Sequence, residues 1–224
     1  MKIVRKEEHD ALMKRAKEAE WYETPDWAAE RILDVELCTP LIIDPCAGRG
    51  VLGRAARSKG YRVREFDLNV WPDTPKDAFI LAPMDFLGGK MRKEIEETVD
   101  TEFTVFMNPP FSKTVEFIET SFAIGARKVI MFQRLAFLES ATRRDFFDRL
   151  PPARIWLCGD RAVSWRGDIP DEDVTAQWED ENGVEKEDVI KGRKGRSTPT
   201  PHAWFVWEKS HRGLMATHHL YKEE

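Results

Sequence analysis

Leu41-Ile42-Ile43-Asp44-Pro45-Cys46-Ala47-Gly48-Arg49-Gly50-Val51-Leu52-Gly53-Arg54-Ala55-Ala56-Arg57-Ser58 decides the fold. A short apolar run ends in an acid, passes a glycine-containing turn and enters a helix-like stretch from Val51 to Ser58. Gly60 closes that helix, and Tyr61-Arg62-Val63-Arg64-Glu65-Phe66-Asp67 alternates like a second strand. Strand, turn, helix and strand in succession open a parallel α/β sheet, because parallel strands need a long crossover between them.

The pattern continues downstream. Ala78 to Leu81 reads as a strand and Lys90 to Val99 as a polar helix. Phe103-Thr104-Val105-Phe106-Met107 is a strand that ends at Asn108-Pro109-Pro110-Phe111, followed by a helix from Val115 to Ile124. Lys128 to Phe132 is another buried strand, and Ser140 to Leu150 a helix stopped by Pro151-Pro152. Ile155 to Cys158 and Ala203 to Trp207 close the series, with Trp204 and Trp207 read as core or sheet-face residues. Upstream, residues 1–20 read as an exposed amphipathic helix, Trp21 to Pro25 as a break, and Asp26 to Leu33 as a second helix. The expectation is one α/β domain over 1–224, with an N-terminal helical segment at 1–33. A polar insertion at 166–200 lies between the last two strands; so long a connection is either functional or disordered.

Composition narrows the function. At 224 residues, 42% hydrophobic and 33% charged, the chain can bury a core without a disulfide or metal staple. Cys38, Cys46 and Cys158 show no C-x-x-C pairing, and the five histidines no metal spacing, so no metal site is expected. His218-His219 reads as a solvated tail. The charged start is unlike a signal peptide and no apolar run would span a bilayer, so the expected location is the cytoplasm, without a membrane partner. A net charge of −5 argues mildly against a nucleic-acid binder. Yet nine acids against one base lie between Asp171 and Asp188, so the remainder is mildly basic. Lys191-Gly192-Arg193-Lys194-Gly195-Arg196 follows at once. Two readings of these runs stand open: a solvated or disordered loop, and a mobile arm near a nucleic acid.

Three strand ends carry the chemistry. Gly48-x-Gly50-x-x-Gly53 fits the dinucleotide pattern, but the Asp44-Pro45 ahead of it puts an acid where a pyrophosphate would be repelled. That acid would attract a cation, such as the amino group of a methionine moiety; an ordinary strand–helix turn is the competing reading. Asp67, at the next strand end, is spaced to accept the hydroxyls of a ribose. Asn108-Pro109-Pro110-Phe111 is the strongest local signal. Its two prolines remove N–H donors and leave carbonyls to accept. The Asn108 and Pro109 carbonyls can hold both hydrogens of a planar NH2 group while Phe111 stacks on the ring that bears it.

These two motifs, Asp44-Pro45-Cys46-Ala47-Gly48-Arg49-Gly50 followed by Asn108-Pro109-Pro110-Phe111, resemble those of S-adenosylmethionine-dependent DNA adenine-N6 methyltransferases, particularly the small phage-type enzymes. Tyr22-Glu23-Thr24-Pro25 is similar to the family's N-terminal cofactor segment, and the order of the three matches its gamma arrangement. The resemblance covers 21–165 and 201–209. It implies a Rossmann-like methyltransferase fold, a mostly parallel seven-stranded sheet with an antiparallel last strand and helices on both faces. It implies that Asp44, Pro45, Ala47, Gly48 and Gly50 meet the methionine part of S-adenosyl-L-methionine, and Asp67 its ribose. Asp85 would take the adenine amine, while Tyr22, Thr24 and Pro25 close over the tail. Asn108, Pro109, Pro110 and Phe111 would form the catalytic segment, with DNA as the expected partner. Lys113, Arg134 and Arg143 are candidates for phosphate contact, the competing reading being a solvated arginine-rich face. Methylation of RNA or of a protein glutamine amide, and an inactive nucleic-acid-binding relative, remain alternatives. Sequence-specific members of the family often add a substantial recognition domain, for which only 166–200 could serve here, and this implies loose recognition, folding upon binding, or a protein partner.

Overall fold

Strands that are apolar at every position must be covered on both faces, and the chain supplies helices for each face. The computed structural model describes residues 2–194 and 200–223. In chain order the elements begin with β1 (Lys2–Arg5), α1 (Lys6–Glu18), β2 (Tyr22–Glu23), α2 (Asp26–Val35), β3 (Leu41–Asp44), α3 (Val51–Ser58) and β4 (Arg62–Phe66). There follow β5 (Ile80–Leu81), α4 (Gly89–Thr98), β6 (Phe103–Met107), α5 (Thr114–Ala123), β7 (Lys128–Arg134), α6 (Arg144–Arg149) and β8 (Arg154–Cys158). The last are β9 (Trp165–Arg166), β10 (Val174–Glu179), β11 (Glu185–Ile190), β12 (His202–Glu208) and β13 (Ala216–Leu220). They fall into two compact units, Thr24–Ala162 with Thr200–Glu224, and Met1–Glu23 with Val163–Pro199.

The larger unit is built on an eight-stranded sheet in the order β13-β8-β12-β7-β6-β3-β4-β5. The run β7-β6-β3-β4-β5 is parallel throughout. β12 is antiparallel to both β7 and β8, as expected for the closing strand. Side-chain alternation sorts the core into two layers. Ile43, Val105, Met107, Val129, Met131 and Phe205 pack with Met91 and Ile95 of α4, Phe117 and Ile118 of α5, and Phe146 of α6. Ile42, Phe106, Ile130, Phe132, Trp204 and Val206 face Ala29 and Ile32 of α2 and Leu52 and Ala56 of α3 on the other side. Trp204 and Trp207 are fully buried. The eighth strand corrects the sequence reading of the C-terminal segment as a tail, while its histidines stay exposed as that reading had them. His218 and His219 lie in β13, parallel to β8, and the His218 ring stacks on Trp156 at 4.6 Å. Backbone pairing, which leaves no mark on composition, orders this segment. Among the described residues no helix is long and apolar enough to cross a membrane.

The smaller unit replaces the expected insertion without a core. β1 runs parallel to β10, β10 pairs with β11 as a hairpin, and β2 pairs with β9. Asp180 Oδ1 accepts the main-chain N–H of Asn182 and Val184 in the hairpin turn, and Gly183 supplies the positive φ there. The N-terminal residues are thus a strand and a helix rather than one helix, and the long connection folds with them. The basic run is matched by acids. Lys191 pairs with Asp173 at 2.8 Å, Arg193 with Asp171 at 2.5 Å and Lys194 with Glu172 at 3.0 Å. Gly195 and Arg196 lie outside the described residues.

One buried ion cluster ties α2 to β7, β8 and β12. The Glu36 carboxylate accepts Arg154 at 2.5 and 2.9 Å, Trp156 Nε1 at 2.8 Å and Lys128 at 3.0 Å, and Arg154 also pairs with Glu208. Burial pushes the Glu36 pKa up, but these hydrogen bonds outweigh it and hold the carboxyl below its ordinary value. Removing one partner of such a cluster leaves buried charge uncompensated. Glu36→Ala should therefore lower stability by about 3 kcal/mol in urea unfolding without changing the slope of the transition.

Candidate active site

Asp44 ends β3 and Met107 ends β6, and the two strands lie side by side. The register Ile43↔Val105 carries the residues after each strand to the same edge of the sheet, where loops at carboxyl ends form ligand sites. A main-chain hydrogen bond from Asn108 reaches the Cys46 thiol, so the glycine motif and the Asn-Pro-Pro motif touch.

The glycine bend is shaped by carboxylates. Pro45 is buried, and Cys46 N donates to Asp44 Oδ1 at 3.1 Å. Ala47 N bonds Phe66 O, and Gly50 N returns to Ala47 O. Gly48 and Gly50 take φ of 58° and 79°, a left-handed conformation that side chains disfavour. Asp67 Oδ2 accepts Gly48 N at 2.8 Å, while Oδ1 accepts Asn69 N at 2.7 Å and Trp71 Nε1 at 3.2 Å. Asp67 thus closes the bend with three of its roughly four acceptor directions. Asp44 differs: it is buried, and its Oδ2 has no hydrogen-bond partner. Burial first, then the neighbouring Glu65 and Asp67 carboxylates, push the Asp44 pKa well above the ordinary range. Burial also raises Asp67. A buried carboxylate with one oxygen unpartnered, beside two other acids, is suited to a cation rather than an anion.

Sequence reasoning missed Glu65 in this cluster. Its side chain is buried and pairs with Arg57 at 2.5 Å. A Cβ on Gly53 would sit 2.0 Å from Glu65 Oε1, so the third glycine of the pattern makes room for a carboxylate. The alternation Val63, Glu65, Asp67 was the available signal. Asp85 is exposed and accepts Leu87 N at 3.0 Å in the turn before α4. Its loop is tied to the site through Met84 N and Asp67 O at 2.7 Å.

The Asn-Pro-Pro-Phe segment is held from two sides. Asn108 Nδ2 donates to the buried Thr24 Oγ1 at 3.0 Å, which uses one of its two hydrogens and turns Oδ1 the other way. Pro25 follows as the N-cap of α2, its carbonyl accepting Ala28 N and Ala29 N. Tyr22 belongs to the smaller unit, where it pairs with Arg166. Pro109 is buried, Pro110 O accepts Lys113 N at 3.0 Å, and Thr114 Oγ1 donates to Phe111 O at 2.9 Å.

Of the three basic candidates, Arg134 lays its side chain against the segment. Its guanidinium lies over the Phe111 ring, 4.1 Å from the centroid, and so covers one ring face. Lys113 is exposed and paired with Glu116 at 3.7 Å. Arg143 donates to Phe137 O at 2.9 Å and Ala136 O at 3.3 Å, serving its own turn instead of pointing into the site. His202, read from sequence only as a non-ligand, is register-paired with Arg134. It stacks on Phe132 at 5.0 Å and lies 6.5 Å from the Phe111 ring. Burial, and then the charge of Arg134, push its pKa down to about 4.

Comparison with known proteins places the architecture among Rossmann-like methyltransferase folds. A predicted O-methyltransferase from Agrobacterium tumefaciens matches with a TM-score of 0.50, covering 88% of this chain and 86% of its own at 17% identity. An O-methyltransferase from Bacillus cereus, solved in complex with SAH, matches with a TM-score of 0.46 at 9% identity over 92% of each chain. A putative RNA methyltransferase from Pyrococcus horikoshii matches with a TM-score of 0.44 at 18% identity, over 92% of this chain and 99% of its own. No protein-family model matches the chain, and no curated protein matches it in sequence. At such identities the likeness is one of fold.

The state of His202 gives the site a pH signature. The unfolded chain binds a proton at this residue near pH 6.5, the folded chain only near 4, so acid between those values favours unfolding. In urea unfolding, His202→Phe should lose less stability than wild type as the pH falls from about 7 to about 4, by on the order of 3 kcal/mol.

Proposed function

We propose that the protein is an S-adenosylmethionine-dependent methyltransferase acting on an exocyclic amine conjugated to a ring, with N6 of adenine in DNA as its substrate. The observation that carries this reading is the Asn108 amide. Thr24 accepts from its nitrogen, which sets Oδ1 on the opposite side of the amide; in this reading Oδ1 and the Pro109 carbonyl take the two hydrogens of a flat NH2 group.

The residues present suit the cofactor. Asp44, with an unpartnered buried oxygen, would hold its ammonium group, and the bend at Gly48–Gly50 admits the chain at backbone distance. Asp67 Oδ2 has acceptor capacity for a ribose hydroxyl, and Asp85 stands on the loop tied to Asp67. S-adenosylmethionine supplies an electrophilic methyl group on a positively charged sulfur. Asn108 and Pro109 would bind the amine hydrogens, drawing the nitrogen toward a tetrahedral shape with its lone pair turned to the cofactor side. Catalysis is then positioning of two reactants, a contribution that can reach several kcal/mol. The base stacks on the Phe111 ring. A duplex base must leave its stack to arrive there, at a cost of a few kcal/mol. DNA rather than RNA or protein rests on the order of the three motifs.

Asn108→Ala should cut methyl transfer at least ~100-fold while calorimetry shows S-adenosylmethionine binding within about twofold of wild type. Asp67→Ala should weaken that binding. Duplex DNA, single-stranded DNA, RNA and cell protein offered in parallel with labelled cofactor decide the substrate. Label in DNA at adenine N6 is expected; label confined to RNA or protein would replace the DNA reading.

A further inference from the structure

Gln133 lies at the end of β7, is 2% exposed and faces no expected ligand. Its side chain joins two groups of the site. Arg134 N donates to Gln133 Oε1 at 2.7 Å, and Gln133 Nε2 donates to Thr114 Oγ1 at 2.6 Å. Thr114, also buried, donates to Phe111 O at 2.9 Å. The order of donors is fixed by chemistry. A main-chain N–H can only donate, so the amide oxygen must face Arg134 and the NH2 must face Thr114. Thr114 then has one hydrogen left, and it goes to the Phe111 carbonyl.

The two ends of this relay are the two members of one stack. Phe111 presents its ring to Arg134, 4.1 Å away. We propose that Gln133 is a positioning residue that aligns the Phe111–Arg134 pair, holding Phe111 through Thr114 and Arg134 through its main chain. The inference rests on the proposed function only in taking Phe111 as the surface on which the target base stacks. A buried relay of this kind is directional: reverse one donor and the last bond is lost.

Gln133→Glu reverses it without changing shape. An ionised carboxylate accepts from both sides, so Thr114 turns its hydrogen toward residue 133 and the Phe111 carbonyl loses its donor. The protonated acid again has one donor and one acceptor, like the amide. Lys113, Glu116, Arg134 and His202 are ionisable residues next to the relay in sequence or register, and wild type carries the same four. Normalising to wild type at each pH therefore isolates residue 133. Gln133→Met removes the relay at every pH and serves as the packing control.

Two readouts are compared from about pH 8 to about pH 6: the fluorine resonance of Phe111 in protein labelled with fluorophenylalanine, assigned by Phe111→Leu, and methyl transfer to DNA. In Gln133→Glu the Phe111 resonance should be displaced at the higher pH and return toward the wild-type position at the lower. The kcat/KM for DNA should be depressed roughly tenfold and recover in step, with cofactor binding unchanged. Gln133→Met should show a constant displacement and a constant loss. A Phe111 resonance in Gln133→Glu that tracks wild type at every pH overturns the proposal, whether or not the protein is active. So does a transfer ratio that stays flat while the resonance titrates. A wild-type protein that transfers no methyl group to any substrate overturns the proposed function and leaves the resonance test to decide the alignment.

Discussion

Two strands, β3 and β6, lie side by side with every position buried, and the rest of the site depends on that pairing. Because side chains alternate between the two core layers, a slip of one residue would turn each layer inside out. The register is therefore fixed by the hydrophobic core. The core thus determines that Asp44-Pro45-Cys46 and Asn108-Pro109 leave the sheet at one place, joined by the hydrogen bond at Cys46.

What gathers there is electrostatically unusual. Asp44, Glu65 and Asp67 are all buried, and burial raises the pKa of each. Such a cluster opposes stability unless each charge is compensated. Asp67 is compensated by three N–H groups, two of its own loop and that of Gly48, and Glu65 is paired with Arg57, while Glu65 Oε1 and Asp44 Oδ2 are each buried without a hydrogen-bond partner. The same field that would reject a dinucleotide phosphate favours an ammonium group. Across the bend, the Asn-Pro-Pro segment contributes acceptors because its prolines have no N–H, and Thr24 and Thr114 fix the orientation of its amide and its last carbonyl.

Much of the larger unit was legible in the sequence, because each central strand is a run of buried residues and the helix after the glycine bend is bounded by Gly50 and Gly60. The acidic strand ends and the Asn-Pro-Pro-Phe segment were legible for the same reason: they stand directly after those runs. The smaller unit was not. β11 reads Glu-Lys-Glu-Asp-Val-Ile, largely exposed and acidic, and nothing in its composition distinguishes it from a loop. Its partner β10 is in turn completed by β1, more than 160 residues earlier, a pairing no local pattern reveals. Long-range contacts hid the site residues as well. His202 and Gln133 acquire their roles only where β7 meets β12, and Arg143 points to its own turn because carbonyls of Ala136 and Phe137 are within reach.

The account stands or falls on where a cationic cofactor lodges, and the structure of the protein crystallised with S-adenosylmethionine tests that most directly. Density for the ligand between the bend at Gly48–Gly50 and Asn108, with its ammonium group on the Asp44 carboxylate, is the predicted result. Ligand bound at any other surface, or seated with Asp44 Oδ2 still lacking a partner, would contradict it.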